Sequence, residues 1–341
     1  MKNKNVTMWT LILGIILALG FTVGCNKSVD SGKKPKFVAV SYDGKAAYSN
    51  NGIKWRMITL PEDNIYWRSV CYGDGKFVAV ASFIANNIAA YSEDGINWFE
   101  TTLPNKAFWK SICYGNGKFV VIADDLEDSD KAAYSVDGIK WKRARLPSKV
   151  DWGSICYGNG KFVAVSYSIG LNSSNIAAYS EDGIKWKQAI LPIKAYWSSV
   201  CYGNGKFIAI PSQIEDDEDI YPNDKAAYSE DGINWFETTL PVKAIWWSVC
   251  YGNDKFVVVA TDSGDSSNQA AYSFDGINWK PTTLPVKSDW SSVCYGNGKF
   301  VAVADWGDGR KKAAYSKDGI KWKQATMPVE AHWKSVCYGG D

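Results

Sequence analysis

Neither sign of charge dominates this chain: 38 lysines and arginines face 36 aspartates and glutamates, a formal balance of +2. Without a basic stripe, nucleic acid is excluded as the expected partner. Histidine is nearly missing, His332 being the single copy, and no C-x-x-C pair occurs, so neither a metal-ligand spacing nor a cofactor motif is present. No serine or cysteine stands in a nucleophile motif. Arginine is confined to Arg56, Arg68, Arg143, Arg145 and Arg310. The long apolar run from Met8 to Phe21 is short for a helix that crosses a bilayer.

What the chain has in abundance is repetition. Cys71, Cys113, Cys156, Cys201, Cys250, Cys294 and Cys337 recur at steps of 42, 43, 45, 49, 44 and 43 residues, a period that points to a solenoid or a propeller. Each unit holds four short apolar runs between turn residues, which read as strands. In one copy they are Trp67–Tyr72, Lys76–Ala81, Ala89–Ser92 and Ile96–Leu103. Gly-Asp-Gly or Gly-Asn-Gly between the first two is a tight hairpin signal, because both residue types tolerate positive φ. The runs are apolar on both alternating faces, as expected of a small sheet sandwiched between two neighbours. The repeats begin in mid-unit, with a second strand at Lys36–Val40, and end on a lone first strand from Trp333. The two fragments complete one another, so the expected fold is all-β: a seven-bladed β-propeller of four-stranded blades over residues 36–341. Its C-terminal strand should pair with the N-terminal three, whereas a solenoid would want polar caps.

Before the repeats, Lys2 and Lys4, the apolar run and Thr22-Val23-Gly24-Cys25 have the order of a secretory leader over residues 1–24. The small residue directly before Cys25 resembles a bacterial lipobox, with Thr22 where leucine is usual. That resemblance implies a lipid on Cys25, removal of the leader, a polar tether over residues 25–35 and a location on the extracellular face of the cell membrane. Cleavage removes two lysines and no acids, leaving 36 of each sign.

The turn before the fourth strand carries a second signature. Ser92-Glu-Asp94-Gly95-Ile-Asn-Trp98 recurs at Ser135–Trp141, Ser180–Trp186, Ser229–Trp235, Ser273–Trp279 and Ser316–Trp322, and at Ser49–Trp55 with Asn51 for the aspartate. S-x-D-G-x-x-W resembles the Asp box of sialidase-like propellers, one residue shorter. Such a box serves folding: serine and aspartate satisfy turn backbone while tryptophan packs. Sialidase activity does not carry over, because that family grips a carboxylate with three arginines and none of the five here stands in a matching motif. The repeat cysteines, one per blade and about 10 Å apart, are too distant for disulfides, which need Cα atoms within about 7 Å. They read as small buried apolar residues.

Hairpins and boxes hardly vary, so function is expected on the opposite face, at the second-to-third and fourth-to-first loops. The residue before each first-strand tryptophan should ring the channel mouth: Tyr66, Phe108, Asp151, Tyr196, Ile245, Asp289 and His332. With Trp247, the aromatic, acidic and histidine members are the candidate ligand-binding residues, suited to a glycan, peptide or protein. His332 adjoins Asp289 in that ring, where the aspartate could orient it. The acidic loops Asp124–Asp130 and Glu215–Asp224 match no calcium-loop spacing and read as solvated. The expected function is a binding or scaffold module, monomeric and held at the membrane through Cys25. The alternative is a glycan-active hydrolase using loop carboxylates.

Overall fold

The computed structural model describes residues 37–62, 65–82, 86–124, 129–169, 172–216, 219–261, 267–305 and 310–340. The leader, Cys25 and its tether lie outside the described residues, as do 125–128, 217–218, 262–266 and 306–309 of the polar loops. One compact unit spans Lys34–Asp341.

A single repeat shows how the sequence builds this unit. Trp67–Gly73, Lys76–Ala81, Asn86–Ser92 and Phe99–Ala107 pair consecutively and antiparallel. The first turn is made by Asp74 at φ 46° and Gly75 at φ 73°, the pair of positive values that a type I′ hairpin requires. One copy manages without glycine, since Asn253 and Asp254 adopt φ 46° and 57°. The fourth strand starts at Phe99 rather than at Ile96, because Asp94 Oδ1 accepts the N–H groups of Ile96 and Asn97, both at 2.8 Å, and keeps them in the turn.

The second strand is apolar throughout because each side faces a different neighbour. Val78 and Val80 pack with Trp109 and Phe119 of the following repeat, while Phe77, Ala79 and Ala81 pack with Trp67, Val38 and Val40. Each buried valine contributes about 1.5–3 kcal/mol relative to exposure. The tryptophans that open the innermost strands, from Trp67 to Trp333, are all fully buried.

The strands form three four-stranded sheets and one of thirteen. This departs from the expected row of separate sheets, and the cause is local. Lys142–Gly158, Lys187–Gly203 and Phe236–Gly252 each run 17 residues without a break, their first part paired with the preceding strand and their last with the following one. At two other junctions a single residue interrupts the same path, Phe108 between Phe99–Ala107 and Trp109–Gly115 and Asp289 between Lys280–Ser288 and Trp290–Gly296, whereas longer stretches separate Ile58 from Trp67 and Thr326 from Trp333. The ends of the unit meet. Trp333–Tyr338 pairs antiparallel with Phe37–Ser41, which continues to Ala46–Ser49 and Arg56–Ile58. Phe37, Ala39 and Trp55 share one core cluster with Val301, Val303 and Trp333.

Candidate binding site

Each innermost strand slips register just after its tryptophan. Trp67 pairs with Ala81 and Ser69 with Val80, so Arg68 is the extra residue of a bulge. The same slip isolates Lys110, Gly153, Ser198, Trp247, Ser291 and Lys334. A bulge re-aims the side chain it leaves unpaired. All seven of these residues line one cavity of about 130 Å³, together with the serines that follow them and Tyr167.

Those serines tie the repeats together. Ser69 Oγ accepts the N–H of Ile112 at 3.3 Å, Ser111 that of Ile155, Ser154 that of Val200, Ser199 that of Val249, Ser248 that of Val293 and Ser292 that of Val336. Ser335 Oγ accepts the N–H of Val70 at 3.2 Å, so the series closes on itself.

The cavity is electrically lopsided. Lys334, Arg68 and Lys110 come from neighbouring repeats and form a cationic arc facing Ser198, Trp247 and Ser291. Lys110 pairs with Asp124, and Lys334 with Asp305. Burial lowers the Lys110 ammonium below its usual value, Arg68 adds to that, and Asp124 opposes it. Lys334 is likewise lowered by burial, with Asp305 resisting and Arg68 and Lys110 reinforcing. Arg68 Nη1 donates to the Tyr42 hydroxyl at 2.5 Å and makes no ion pair among the described residues. Gly153 has a packing reason, since a Cβ there would lie 2.4 Å from the Trp197 carbonyl oxygen.

The residues expected at the mouth each precede a tryptophan and its bulge in sequence, and their exposure is unequal. Tyr66 is half-buried and packs on Tyr42 at 5.4 Å between ring centres. Phe108 and Asp289 are half-buried, and their carbonyls accept the N–H groups of Asp124 and Asp305. Asp151 is buried and accepts the Ser168 hydroxyl at 2.6 Å. Tyr196 and Ile245 are buried inside long strands. Tyr196 packs on Tyr167 at 5.3 Å, and its phenol is raised by burial and then by Glu215. His332 Nδ1 lies 3.2 Å from Asp305 Oδ1, and Asp43 accepts the His332 backbone N–H at 3.0 Å. Of the predicted site residues only Trp247 lines the cavity. Arg68, Lys110 and Lys334 were missed. Their signal was a variable position, Arg, Lys, Gly, Ser, Trp, Ser, Lys, held between a constant tryptophan and a constant serine.

The opposite face is occupied by its own chemistry. In each box with aspartate the serine hydroxyl donates to the carboxylate, as Ser229 does to Asp231 at 3.0 Å. Partial burial alone would raise the Asp231 carboxyl, but the N–H groups of Asn234 and Ile233, the Asn234 amide and the Ser229 hydroxyl bring it down to about 2. Hairpin asparagines then clasp the box of the next repeat, with Asn116 Nδ2 donating to the Glu181 carbonyl at 3.1 Å and Asn159 Nδ2 to that of Glu230 at 3.2 Å. The repeat cysteines are free; Cys201 is buried, but the other six are half-buried rather than buried as expected, and desolvation raises their thiols. Among the described residues no group of three or more histidine, cysteine, aspartate or glutamate side chains is placed to hold a metal ion.

No protein-family model matches the chain, and no curated protein matches it either. Solved structures do match, and they define a class: the chain has the fold of a β-propeller. It is similar to a streptogramin B lyase at TM-score 0.65 and 12% identity, over 80% of this chain and 86% of that one. A catalytically inactive virginiamycin B lyase from Staphylococcus aureus with quinupristin matches at TM-score 0.63 and 15% identity, over 77% and 85%. YCF48 bound to D1 peptide matches at TM-score 0.58 and 14% identity, over 79% and 85%. At such identities the likeness speaks for the fold alone.

Proposed function

We propose that this chain is a binding or scaffold module, a ring of seven four-stranded blades whose mouth face takes a glycan, peptide or protein ligand. The seven-fold count is supported by the cysteine period and by the closed series of serine contacts. The thirteen-stranded sheet divides into blades at the middle of its 17-residue strands. A lipid on Cys25 would hold the ring at the outer surface of the cell membrane through the tether that follows it.

The observation that carries the binding reading is the contrast between faces. Box and hairpin groups are consumed by one another, whereas seven bulges bring dissimilar residues, from Arg68 and Lys110 to Gly153 and Trp247, to one cavity. Rigid scaffolds place binding groups in this way. Among the similar structures, one is described as bound to a peptide and another as being with quinupristin, in keeping with rings that hold compact ligands.

The test is a screen of the purified protein on glycan and peptide arrays. Any ligand found should bind a Tyr66→Ala, Phe108→Ala, Trp247→Ala triple variant more weakly by about 1–3 kcal/mol, as when aromatic anchors are lost. Undiminished binding by a folded triple variant would move the site away from the mouth.

A further inference from the structure

We propose that the cationic arc is a carboxylate subsite which receives the free C-terminal end of a peptide chain. This rests on the reading of the mouth as a binding face and names what that face takes.

The cavity wall is rich in donors. Ser335, Ser69 and Ser111 flank the arc, and each uses its oxygen to accept a backbone N–H from the next repeat. Among the described residues none of these three hydroxyls donates to another group, so their protons can point to a ligand in the cavity. Arg68 spends one N–H on Tyr42 and has no carboxylate partner among the described residues. A guanidinium carries five N–H donors in a planar fork, which leaves enough for a two-point grip on a carboxylate. Lys110 and Lys334 already hold Asp124 and Asp305, so they contribute field from either side while Arg68 supplies the geometry. Unsatisfied donors beside mutually repelling cations favour an anion.

Size selects the kind of anion. About 130 Å³ is well below the roughly 300–1,000 Å³ of pockets that enclose a drug-sized molecule. The cavity therefore admits a head group with the rest of the ligand outside. In uronic and sialic acids the carboxylate is borne directly on a pyranose ring, which would have to follow it inside. A peptide terminus carries its carboxylate on one Cα and continues as a slim extended chain. Aromatic surface adjoins the arc: Tyr42, whose hydroxyl holds Arg68 Nη1, packs on Tyr66, and Trp247 lines the same cavity.

The experiment is a thermal-shift and calorimetric titration of the purified full-length protein at constant ionic strength. The probes are acetyl-triglycine, acetyl-triglycinamide, methyl glucuronide and sulfate. Acetyl-triglycine should stabilise the fold saturably, as a ligand bound only by the native state must. The amide should fail to do so. Arg68→Gln should weaken the acid at least tenfold and Arg68→Lys should restore part of the loss, while both keep the unliganded melting temperature. Equal binding of acid and amide, tighter binding of glucuronide or sulfate, indifference to Arg68→Gln, or no response to acetyl-triglycine would each overturn the assignment. A separate array ligand that needs the mouth aromatics but not Arg68 would leave the mouth reading standing and remove this subsite.

Discussion

Substituting Gly73 and Gly75 in turn separates two demands made by one hairpin. An ideal Cβ on Gly73 would lie 2.0 Å from Cγ of Tyr114, the tyrosine at the equivalent place in the next repeat. Tyr114 is itself backed by Phe119 at 4.8 Å between ring centres, so it has no simple retreat. The same socket recurs with Tyr157 on Gly115 and Tyr338 on Gly296, making it a joint between repeats. Gly73→Ala should therefore cost about 3 kcal/mol or more, the upper end for overpacking a rigid site. Gly75 has φ 73° and nothing within 4 Å of its Cβ position, so Gly75→Ala meets only backbone strain of about 1 kcal/mol. Urea unfolding followed by tryptophan fluorescence reads both. Tyr114→Ala in the Gly73→Ala background should recover part of the loss, a coupling that a double-mutant cycle measures. Equal costs at the two glycines, or strict additivity with Tyr114→Ala, would refute the socket.

The box carboxylates predict an acid limb of stability. Asp231 is depressed in the fold to about 2, so its contribution is complete above the unfolded value near 4 and is lost as pH falls from there through about 2. Asp231→Asn should flatten that part of a melting-temperature profile, because Asn51 already shows an amide oxygen accepting the same two N–H groups at 2.9 Å. Lys334→Met should destabilise by about 3 kcal/mol, since it leaves the 12%-exposed Asp305 without its ammonium partner, and Lys334→Met with Asp305→Leu should regain much of it in chemical denaturation. Cys201 is buried and the other repeat cysteines are half-buried, with thiols raised by desolvation, so iodoacetamide at pH 8 should modify them far more slowly in the native protein than after denaturation, as mass spectrometry would record.

The architecture was legible because its punctuation is explicit. A pair drawn from asparagine, aspartate and glycine at positive φ marks the hairpins after the first strands, and the apolar second strand announces burial on two sides. The fourth-strand boundary was misplaced because a side chain, Asp94, captures backbone donors that strand periodicity would assign to pairing. The site was legible only in outline. Counting back from each tryptophan led to the residues on its N-terminal side, but a bulge has no signature in residue type, so those on its C-terminal side that line the cavity were passed over. Arg68 was hidden by the correct observation that arginines are few. His332 meets Asp305, 27 residues earlier in the chain, through loop geometry that repeat positions do not encode.

The central claim is that ligand is held at the bulge end of the inner strands and not at the box face. Hydrogen–deuterium exchange of the protein, with and without a saturating array-derived ligand, tests it directly. The account predicts new protection at Trp67–Ser69, Trp109–Ser111 and Trp333–Ser335 with none at the turns such as Ser92–Trp98. Protection confined to those turns, with the inner-strand starts unchanged, would contradict it.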